Sequence, residues 1–471
     1  MSELTTQLQE SLIRCGQDHL LRFFDELPPN RQQSLIDQIA SLNIPRLKAL
    51  ADEYVLNRPN AALPERLEPA PFYPHNLPDH AQYRSRGEQV IRDGKVAAFT
   101  VAGGQGTRLG WNGPKGTFPA TCVTGKPLFR VFAEQIVANQ RKYGITIPWY
   151  IMTSPGNDAE TRAFITDNNC FGIERRNIFM FPQGVMPSFD IHSGRILLEE
   201  KDTIAFNPDG HGGSLMALRA SGALEDMAVR GIEHISYFQV DNPLVKVIDP
   251  LFIGLHIGAP DSSAEMSSKM VPKAYPGEKM GVFCRADGKT TVIEYSDLPA
   301  ELAEAVREDG TLRFIAGSIA VHLLSVEFVE RLTEEEQLRL PWHRAEKIVP
   351  HIDLESGERI EPTTANAVKL ETFVFDALPQ AKSSIVLETS RVEEFAPIKN
   401  ATGVDSAASS AQIQSDRSAA WLSTHGVEVP RDADGHAAAM IEISPLTALE
   451  PDDLVKASLP TRIAPGQEVV L

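Results

Sequence analysis

The chain has few of the features that mark extracellular, metal-stapled or membrane proteins. Its 471 residues contain only 4 cysteines, which are widely spaced and form no Cys-x-x-Cys pair: Cys15, Cys122, Cys170 and Cys284. This spacing argues against a disulfide framework or a zinc site and is typical of a reducing cytosol. No apolar run approaches the ~20 residues of a membrane span. The N-terminal residues lack the basic and apolar regions of a signal peptide, so we expect a cytoplasmic protein without a membrane partner.

Positive charge is also scarce. The 45 Lys and Arg residues are outnumbered by 63 Asp and Glu residues, which gives a net charge of −18. This balance argues against a nucleic-acid partner, because proteins with a broad nucleic-acid surface are usually basic. Any phosphate-binding site must then be a local cluster of positively charged residues. The length exceeds what one hydrophobic core supports and predicts two or three domains.

The pattern along the chain predicts an α/β protein with three parts. Residues 3–57 have helical periodicity, residues 58–81 are rich in proline, and residues 95–400 alternate short apolar strands with helices. We therefore predict an N-terminal helical region with a linker over 1–90, a central α/β domain over 91–400 and a small C-terminal domain over 401–471. The strands expected are Val96–Val101, Trp149–Thr153, Ile235–Val240, Val282–Cys284, Phe314–Val321 and Ser384–Leu387.

A glycine-rich segment follows the first of these strands. It contains Gly103, Gly104 and Gly106, with Arg108 and Lys115 seven residues apart. Glycine lets backbone N–H groups approach an anion closely, because no Cβ stands in the way. The two cations can neutralise phosphate oxygens. The segment therefore predicts a polyphosphate-binding loop.

Three other interpretations of this loop are possible. One is an ordinary strand-to-helix turn. A dinucleotide-binding turn would need a small residue where Leu109 stands, although Gly104 and Gly106 fit the start of that fingerprint. A P-loop needs Ser or Thr directly after its lysine, whereas Lys115 is followed by Gly116. The pattern favours a nucleotide-binding loop of another kind.

Polar residues follow other predicted strands, at the edge where α/β sheets bind ligands. Asp241 follows the 235–240 strand and could hold Mg²⁺, which takes one or two carboxylates plus phosphate oxygens and water; alternatively it caps a turn. The Gln183 amide could bind the edge of a base, or it could be a solvated loop residue. The turn over residues 207–213 leads into a helix and could face a ligand, or it could only cap that helix.

The run Val101–Pro119 resembles the signature loop of the UDP-sugar pyrophosphorylases, in particular of the UDP-N-acetylhexosamine pyrophosphorylase branch. Eight further segments resemble this family in the same order, so that the resemblance covers roughly residues 98–405. They are residues 148–154, 183–187, 196–201, 208–210, 240–242, 292–296, 369–376 and 394–400.

This resemblance implies a Rossmann-like nucleotidyltransferase domain, of the nucleotide-diphospho-sugar transferase kind, with an N-terminal helical region and a small β-rich C-terminal domain. It implies the Mg²⁺-dependent conversion of UTP and a sugar 1-phosphate, foremost N-acetylglucosamine 1-phosphate, into UDP-sugar and pyrophosphate. The attack on the α-phosphorus of UTP would be in line. No oligomeric state follows from the resemblance.

The resemblance also assigns roles to residues of this chain. It gives Arg108, Lys115 and Lys399 the catalytic role of neutralising phosphate charge, and it makes Asp241 the Mg²⁺ ligand. The residues implied to bind the nucleotide are Gly103, Gly104, Gln105, Gln183, Gly210 and Lys369. The residues implied to bind the sugar are His211, Glu294, Tyr295, Ser318, Phe373 and Phe375.

Two positions depart from the acetylhexosamine branch, which has Asn where this chain has His211 and Ser318. The turn around His211 is similar to that of UDP-glucose and broad UDP-sugar pyrophosphorylases, so the alternative is a UTP–glucose-1-phosphate uridylyltransferase or a broad UDP-sugar pyrophosphorylase. A dinucleotide-dependent oxidoreductase would need an acid at the end of a second strand, but Glu134 falls within a helical pattern. A non-catalytic uridine-nucleotide sensor would not need the full set of cations.

Overall fold

Two units of the chain each build their own core in the computed structural model, which describes residues 3–57, 64, 66–334 and 340–471. The smaller unit takes in the described residues of Met1–Ala62, Gly184–Gly213 and Leu340–Val374. The larger unit takes in those of Leu63–Gln183, Ser214–Arg339 and Phe375–Leu471. The three-part domain division given above stays a prediction.

Ten strands of the described residues form the central sheet of the larger unit. They are β1 (Leu67–Pro69), β2 (Val96–Val101), β3 (Trp149–Thr153), β4 (Ile178–Pro182), β5 (His234–Gln239), β6 (Met266–Pro272), β7 (Val282–Ala286), β8 (Lys289–Ile293), β9 (Ala316–Ser325) and β10 (Val386–Glu388). Their order is β1-β7-β9-β5-β2-β3-β4, while β6 pairs with β9 and β10, and β8 with β7. Strands β5, β2, β3 and β4 run parallel to one another, and β9 is antiparallel to β5. This mixed sheet confirms the predicted α/β class.

The predicted strands fall close to the observed ones. The bounds of β2 and β3 agree with the prediction, and β5 begins one residue earlier. These strands lie inside the sheet and are buried, so they appear in the sequence as continuous apolar runs. The proline-rich stretch 58–81, predicted as linker, contributes edge strand β1, which pairs antiparallel with β7. Residues 58–63 and 65 of that stretch lie outside the described residues.

Helices cover the sheet, and one pair makes an unusually close contact. The helices are His80–Arg92, Leu128–Tyr143, Asp158–Asp167, Gly213–Ala220, Ala223–Arg230, Pro250–Gly258, Ala300–Ala303, Val326–Thr333, Arg391–Glu394 and Ala407–Thr424. A Cβ on Gly87 would lie 1.8 Å from Pro250 O, and a Cβ on Gly254 would lie 1.7 Å from Tyr83 O. Glycine at both positions therefore allows the first and the sixth of these helices to touch through their backbones. None of the described helices has the length and apolarity needed to cross a membrane.

The C-terminal residues of the larger unit have a core of their own. Helix Ala407–Thr424 begins at a capping box in which Ser406 and Ser409 exchange side-chain and backbone hydrogen bonds. A two-stranded parallel sheet joins Met440–Glu442 to Glu468–Val470. Buried side chains from these elements pack together, among them Trp421, Leu422, Ile441 and Leu454.

The smaller unit combines three N-terminal helices with short strands from two distant segments. The helices are Glu3–Arg14, Pro29–Ala40 and Ile44–Leu50. One sheet holds His343–Lys347, Ala367–Glu371 and Phe189–Asp190, and three strand pairs join Val185–Pro187 to Phe206–Pro208, Leu198–Glu200 to Thr203–Ile204, and His351–Ile352 to Arg359–Ile360. Its shared core includes the fully buried Leu12, Leu35, Phe189 and Val368.

Candidate active site

The glycine-rich loop after β2 closes on itself through its backbone. Lys115 N donates to Gly104 O at 3.1 Å, and Gly106 N donates to Gly113 O at 3.0 Å. A Cβ on Gly116 would lie 2.1 Å from the Phe129 ring. This position therefore accepts only glycine without a shift of the ring. The loop is held in one shape before any ligand arrives, which lowers the entropy cost of binding.

Residues that follow β3 and β4 support the loop. Asn157 is buried, and its Nδ2 donates to Ala102 O at 3.1 Å and to Gly104 O at 3.4 Å. A Cβ on Gly103 would lie 2.6 Å from Gln183 Oε1, so this glycine and the Gln183 amide are in direct proximity. Sequence reasoning pointed to Gln183 and missed Asn157, although both follow strands of the same parallel set.

Asp241 lies at the same edge of the sheet as the loop. Strands β5 and β2 are parallel neighbours with Gln239 opposite Val101, so both chains leave the sheet side by side. Lys115 Nζ is 3.7 Å from Asp241 Oδ2, and the two side chains are only 16% and 14% exposed. A cation and an acid therefore face each other where open α/β sheets bind their ligands.

A second cation and a second acid reach this edge from the segment after β10. Ile398 N donates to Asp241 O at 2.8 Å, and Lys399 Nζ is 3.9 Å from Asp405 Oδ2. Burial raises the pKa of Asp405, and the nearby Asp241 charge raises it further, while Lys399 opposes both effects. Sequence reasoning missed Asp405, which stands in no recognisable motif. Its backbone has a positive φ of 56°, a sparsely populated conformation that is common at functional sites.

The other loop residues assigned to the nucleotide lie nearer to solvent. Gln105 and Arg108 are exposed, and the latter forms no ion pair with any residue that the structure describes. Arg108 occupies a single 3₁₀ turn, Thr107–Leu109, which Gly110 ends in a left-handed conformation. Their roles in nucleotide binding stay predictions.

Two of the residues assigned to the sugar meet at a glycine of the larger unit. A Cβ on Gly281 would lie 3.2 Å from Glu294 Oε1, and Gly281 O accepts from Ser318 N at 2.8 Å. Strand β9 is irregular here, because Ala320 has a positive φ of 54°. Such irregularities change the direction of side chains beside active sites. Tyr295 is half-exposed.

The turn that carries Gly210 and His211 belongs to the smaller unit. Thr372 N donates to Asp209 O, and Thr372 O accepts from Gly212 N, both at 2.8 Å. A Cβ on Gly210 would lie 2.3 Å from Thr372 O, so the turn needs glycine for this close approach as well as for its φ of +88°. The turn is thereby fixed on the end of strand Ala367–Glu371, the strand that also carries Lys369. Burial lowers the pKa of Lys369.

Two histidines stack on Phe373 in the same unit. The ring centroids of His211 and Phe373 are 5.1 Å apart, and those of His343 and Phe373 are 4.3 Å apart. Val374 N donates to His211 Nδ1 at 3.1 Å, which places the proton of the neutral ring on Nε2. Burial lowers the pKa of His211 to about 4, and His343 adds to this effect. Sequence reasoning missed His343, because it falls outside every recognised segment.

Asp209 is a further unassigned acid of this turn. Burial raises its pKa to about 6. Its Oδ1 has no hydrogen-bond partner among the residues that the structure describes. Phe375, by contrast, is buried in the larger unit, so the residues assigned to the sugar are divided between the two units.

The oxidoreductase alternative finds no support in the position of Glu134. This residue lies within helix Leu128–Tyr143 and not at the end of a strand. Lys126 Nζ and Arg130 Nε donate to its carboxylate at 2.8 and 2.9 Å. Glu134 is thus already engaged in ion pairs of the protein itself.

A family model described as UTP–glucose-1-phosphate uridylyltransferase matches residues 69–428 of the chain. The chain belongs to this uridylyltransferase family. The family, a group of UDP-sugar pyrophosphorylases, consists of nucleotidyltransferases, so the predicted family and enzyme class are confirmed.

Named relatives cover most of the chain. A UDP-N-acetylhexosamine pyrophosphorylase-like protein 1 of Xenopus tropicalis is 38% identical over 83% of this chain and 79% of its own length. The UDP-N-acetylglucosamine pyrophosphorylase of Saccharomyces cerevisiae is 34% identical over 84% of this chain and 86% of its own.

A solved structure shows the same fold. The UDP-N-acetylglucosamine pyrophosphorylase of Trypanosoma brucei, crystallised with an inhibitor, matches 100% of this chain and 98% of its own with a TM-score of 0.82 and 26% identity. The predicted nucleotidyltransferase fold is therefore confirmed for this family member.

Proposed function

We propose that the protein transfers a uridylyl group from UTP to a sugar 1-phosphate, with N-acetylglucosamine 1-phosphate as the first candidate. The observation that carries this proposal is the approach of Lys115 to Asp241 beneath the glycine-rich loop. The names of the relatives, which include UDP-N-acetylglucosamine pyrophosphorylases, support the choice of sugar.

In this reaction a phosphate oxygen of the sugar 1-phosphate attacks the α-phosphorus of UTP, and pyrophosphate leaves from the opposite side. Both reactants are polyanions, so the protein has to position them and neutralise their charge, and it needs no covalent nucleophile. Lys115 and Lys399 lie at the strand edge where this charge would gather. Backbone N–H groups of the loop would hold the phosphates of UTP.

Mg²⁺ fits the donors at this edge. The carboxylates of Asp241 and Asp405 supply the hard oxygen ligands that the ion prefers. Among the residues that the structure describes, no cluster of three or more His, Cys, Asp or Glu side chains could hold a metal by itself. We therefore propose that Asp241 would hold Mg²⁺ together with phosphate oxygens of the substrates. When bound, the ion would neutralise phosphate charge.

A glucose-type sugar is the second candidate, and the hydrogen bond of His211 favours it. Because Nδ1 accepts from Val374 N, the ring carries its one proton on Nε2. An asparagine amide would offer a donor and an acceptor at its end instead. A site for an acetamido group and a site for a hydroxyl group differ in the donors and acceptors that they offer, and the single Nε2 donor of His211 fits the hydroxyl group.

A pyrophosphate-release assay tests both candidates. The full chain is incubated with UTP, Mg²⁺ and the 1-phosphates of N-acetylglucosamine, N-acetylgalactosamine, glucose or galactose. We expect the fastest release with N-acetylglucosamine 1-phosphate, and faster release with glucose 1-phosphate would establish the second candidate. Absence of release with all four sugars, together with UTP binding, would overturn the proposal in favour of a nucleotide sensor.

Location in the cytoplasm is part of the proposal, supported by four free thiols.

A further inference from the structure

The larger unit contains a cavity whose lining includes no residue of the glycine-rich loop. Helices Leu128–Tyr143 and Ala407–Thr424 contribute to its walls, together with the segment 243–246. Its volume is about 40 Å³, a few times the ~10–15 Å³ that a single water needs. Its charged lining residues are Lys246, Arg417 and Glu442.

Arg417 is the unusual member of this lining. Its Nε is buried and has no hydrogen-bond partner among the described residues, and no described carboxylate lies within ion-pair distance of its guanidinium group. The guanidinium carbon lies 4.7 Å from the centroid of the Trp421 ring, which fixes the group in place. Burial lowers the pKa of this group. Arg417 as a whole is half-buried, but a buried N–H donor without an acceptor is costly, so an anion that reached Nε would be bound favourably.

The nearby carboxylates already accept hydrogen bonds from other groups. Glu393 accepts from Trp421 Nε1 at 3.0 Å, and Glu394 accepts from Lys269 Nζ at 2.5 Å. Glu442 accepts from Thr124 N at 2.8 Å and from the Thr124 hydroxyl at 2.6 Å. None of these acids accepts a hydrogen bond from Arg417 Nε, although the first two lie close enough to raise the pKa of Arg417.

We propose that this cavity binds a small oxyanion, a phosphate or carboxylate group, between Arg417 and Lys246. A guanidinium group binds such anions through two parallel hydrogen bonds. The Lys246 ammonium group, which also lies 3.4 Å from Glu394 Oε1, adds a point charge. The volume admits a single anionic group and not a nucleotide. The site is therefore distinct from the one proposed for UTP.

The cavity is connected to the strand edge through a short piece of chain. Lys246 stands five residues after Asp241. Between them, Asn242 Nδ2 donates to Glu394 O at 2.6 Å, and Asn242 Oδ1 accepts from Ala396 N at 3.0 Å. The segment that follows Asp241 and the segment that precedes Lys399 are thus joined by hydrogen bonds next to the strand edge. An anion held by Lys246 would lie four residues along the chain from Asn242, so we expect it to change turnover. This effect rests on the proposed function, whereas the binding does not.

Calorimetric titration of the full chain with inorganic phosphate and with acetate tests the binding. Wild type should bind one anion in the cavity. Arg417→Met should bind it at least tenfold more weakly, as expected for the loss of a charge-assisted hydrogen bond. Lys115→Met should bind it as wild type does. Tighter binding of phosphate or of acetate identifies the class of anion. Loss in Lys115→Met with retention in Arg417→Met would overturn the proposal, because the anion would then occupy the strand edge. Absence of binding to wild type would also overturn it.

Crystals grown with selenate provide a test that needs no variant. An anomalous peak beside Arg417 supports the site, and ordered water there with a peak only beside Lys115 refutes it. Should Arg417→Met fail to fold, Lys246→Met is the second variant, for which the same weakening is expected.

Discussion

Replacement of Lys115 by methionine is the sharpest test of the proposed mechanism. Methionine keeps most of the side-chain length and removes the charge. Lys115 Nζ lies 3.7 Å from Asp241 Oδ2 at the edge where the phosphates would meet. We expect the variant to lose turnover and to keep its affinity for uridine, which carries no phosphate.

The magnitude follows for a reacting phosphate that comes as close to Lys115 as Asp241 does. At ~4 Å and an effective dielectric constant of ~20, one pair of unit charges interacts with about 4 kcal/mol. The side chains of Lys115 and Asp241 are 16% and 14% exposed, so solvent screens part of this interaction. We therefore expect a loss of about 2–4 kcal/mol in transition-state stabilisation, which is roughly a 30- to 900-fold decrease in kcat.

Steady-state pyrophosphate release, with calorimetric binding of uridine, measures the two expectations. Lys142→Met is the matched control, since this lysine pairs with Glu450 and Asp453 far along the chain from the loop, and it should leave kcat unchanged. A kcat of Lys115→Met within about threefold of wild type would refute the assignment, because a charge at the reacting phosphates contributes more than that. Equal melting temperatures exclude a folding defect.

Three further predictions concern stability. Gly116→Ala places a Cβ 2.1 Å from the Phe129 ring and should lower the free energy of unfolding in urea by about 1–3 kcal/mol. Gly156→Ala is the control, because its Cβ meets nothing within 4 Å, and it should lower this free energy little. Equal losses of stability in the two variants would contradict the packing argument. The pKa of His211 is about 4 in the folded chain and ~6.5 in the unfolded chain. Relative to His211→Asn, wild type should therefore lose stability as the pH falls from ~6.5 to ~4. Parallel profiles of stability against pH for the two proteins would refute this. Lys269→Met removes the counter-charge of two buried carboxylates and should cost about 3–5 kcal/mol; an unchanged melting temperature would show that they are protonated.

The inner strands of the central sheet could be predicted because they are buried on both sides. Such strands are short apolar runs between turn residues, as Val96–Val101 and Trp149–Thr153 show. Helix Ala407–Thr424 was not predicted, because its residues are small and polar and lack an amphipathic pattern. Its capping box at Ser406 was the local signal available.

The site was predictable where glycine or a strand end marks it. The proximity of Gly103 to Gln183 and of Lys115 to Asp241 follows from parallel strands that end at one edge. Asp405 could not be found in this way, since a long-range return of the chain brings it there. The same holds for His343, whose contact with Phe373 depends on the pairing of two strands in the smaller unit.

The division of the smaller unit into three chain segments has a consequence during protein synthesis. The helices within the first 62 residues leave the ribosome about 280 residues before the segment that begins at Leu340, a delay of ~15–55 s at ~5–20 residues per second. During this time the apolar faces that carry Leu12 and Leu35 have no strand of that segment to cover them. A nascent chain of this protein therefore offers a binding surface to chaperones until residue 374 has emerged, and fragments that end before residue 340 should aggregate.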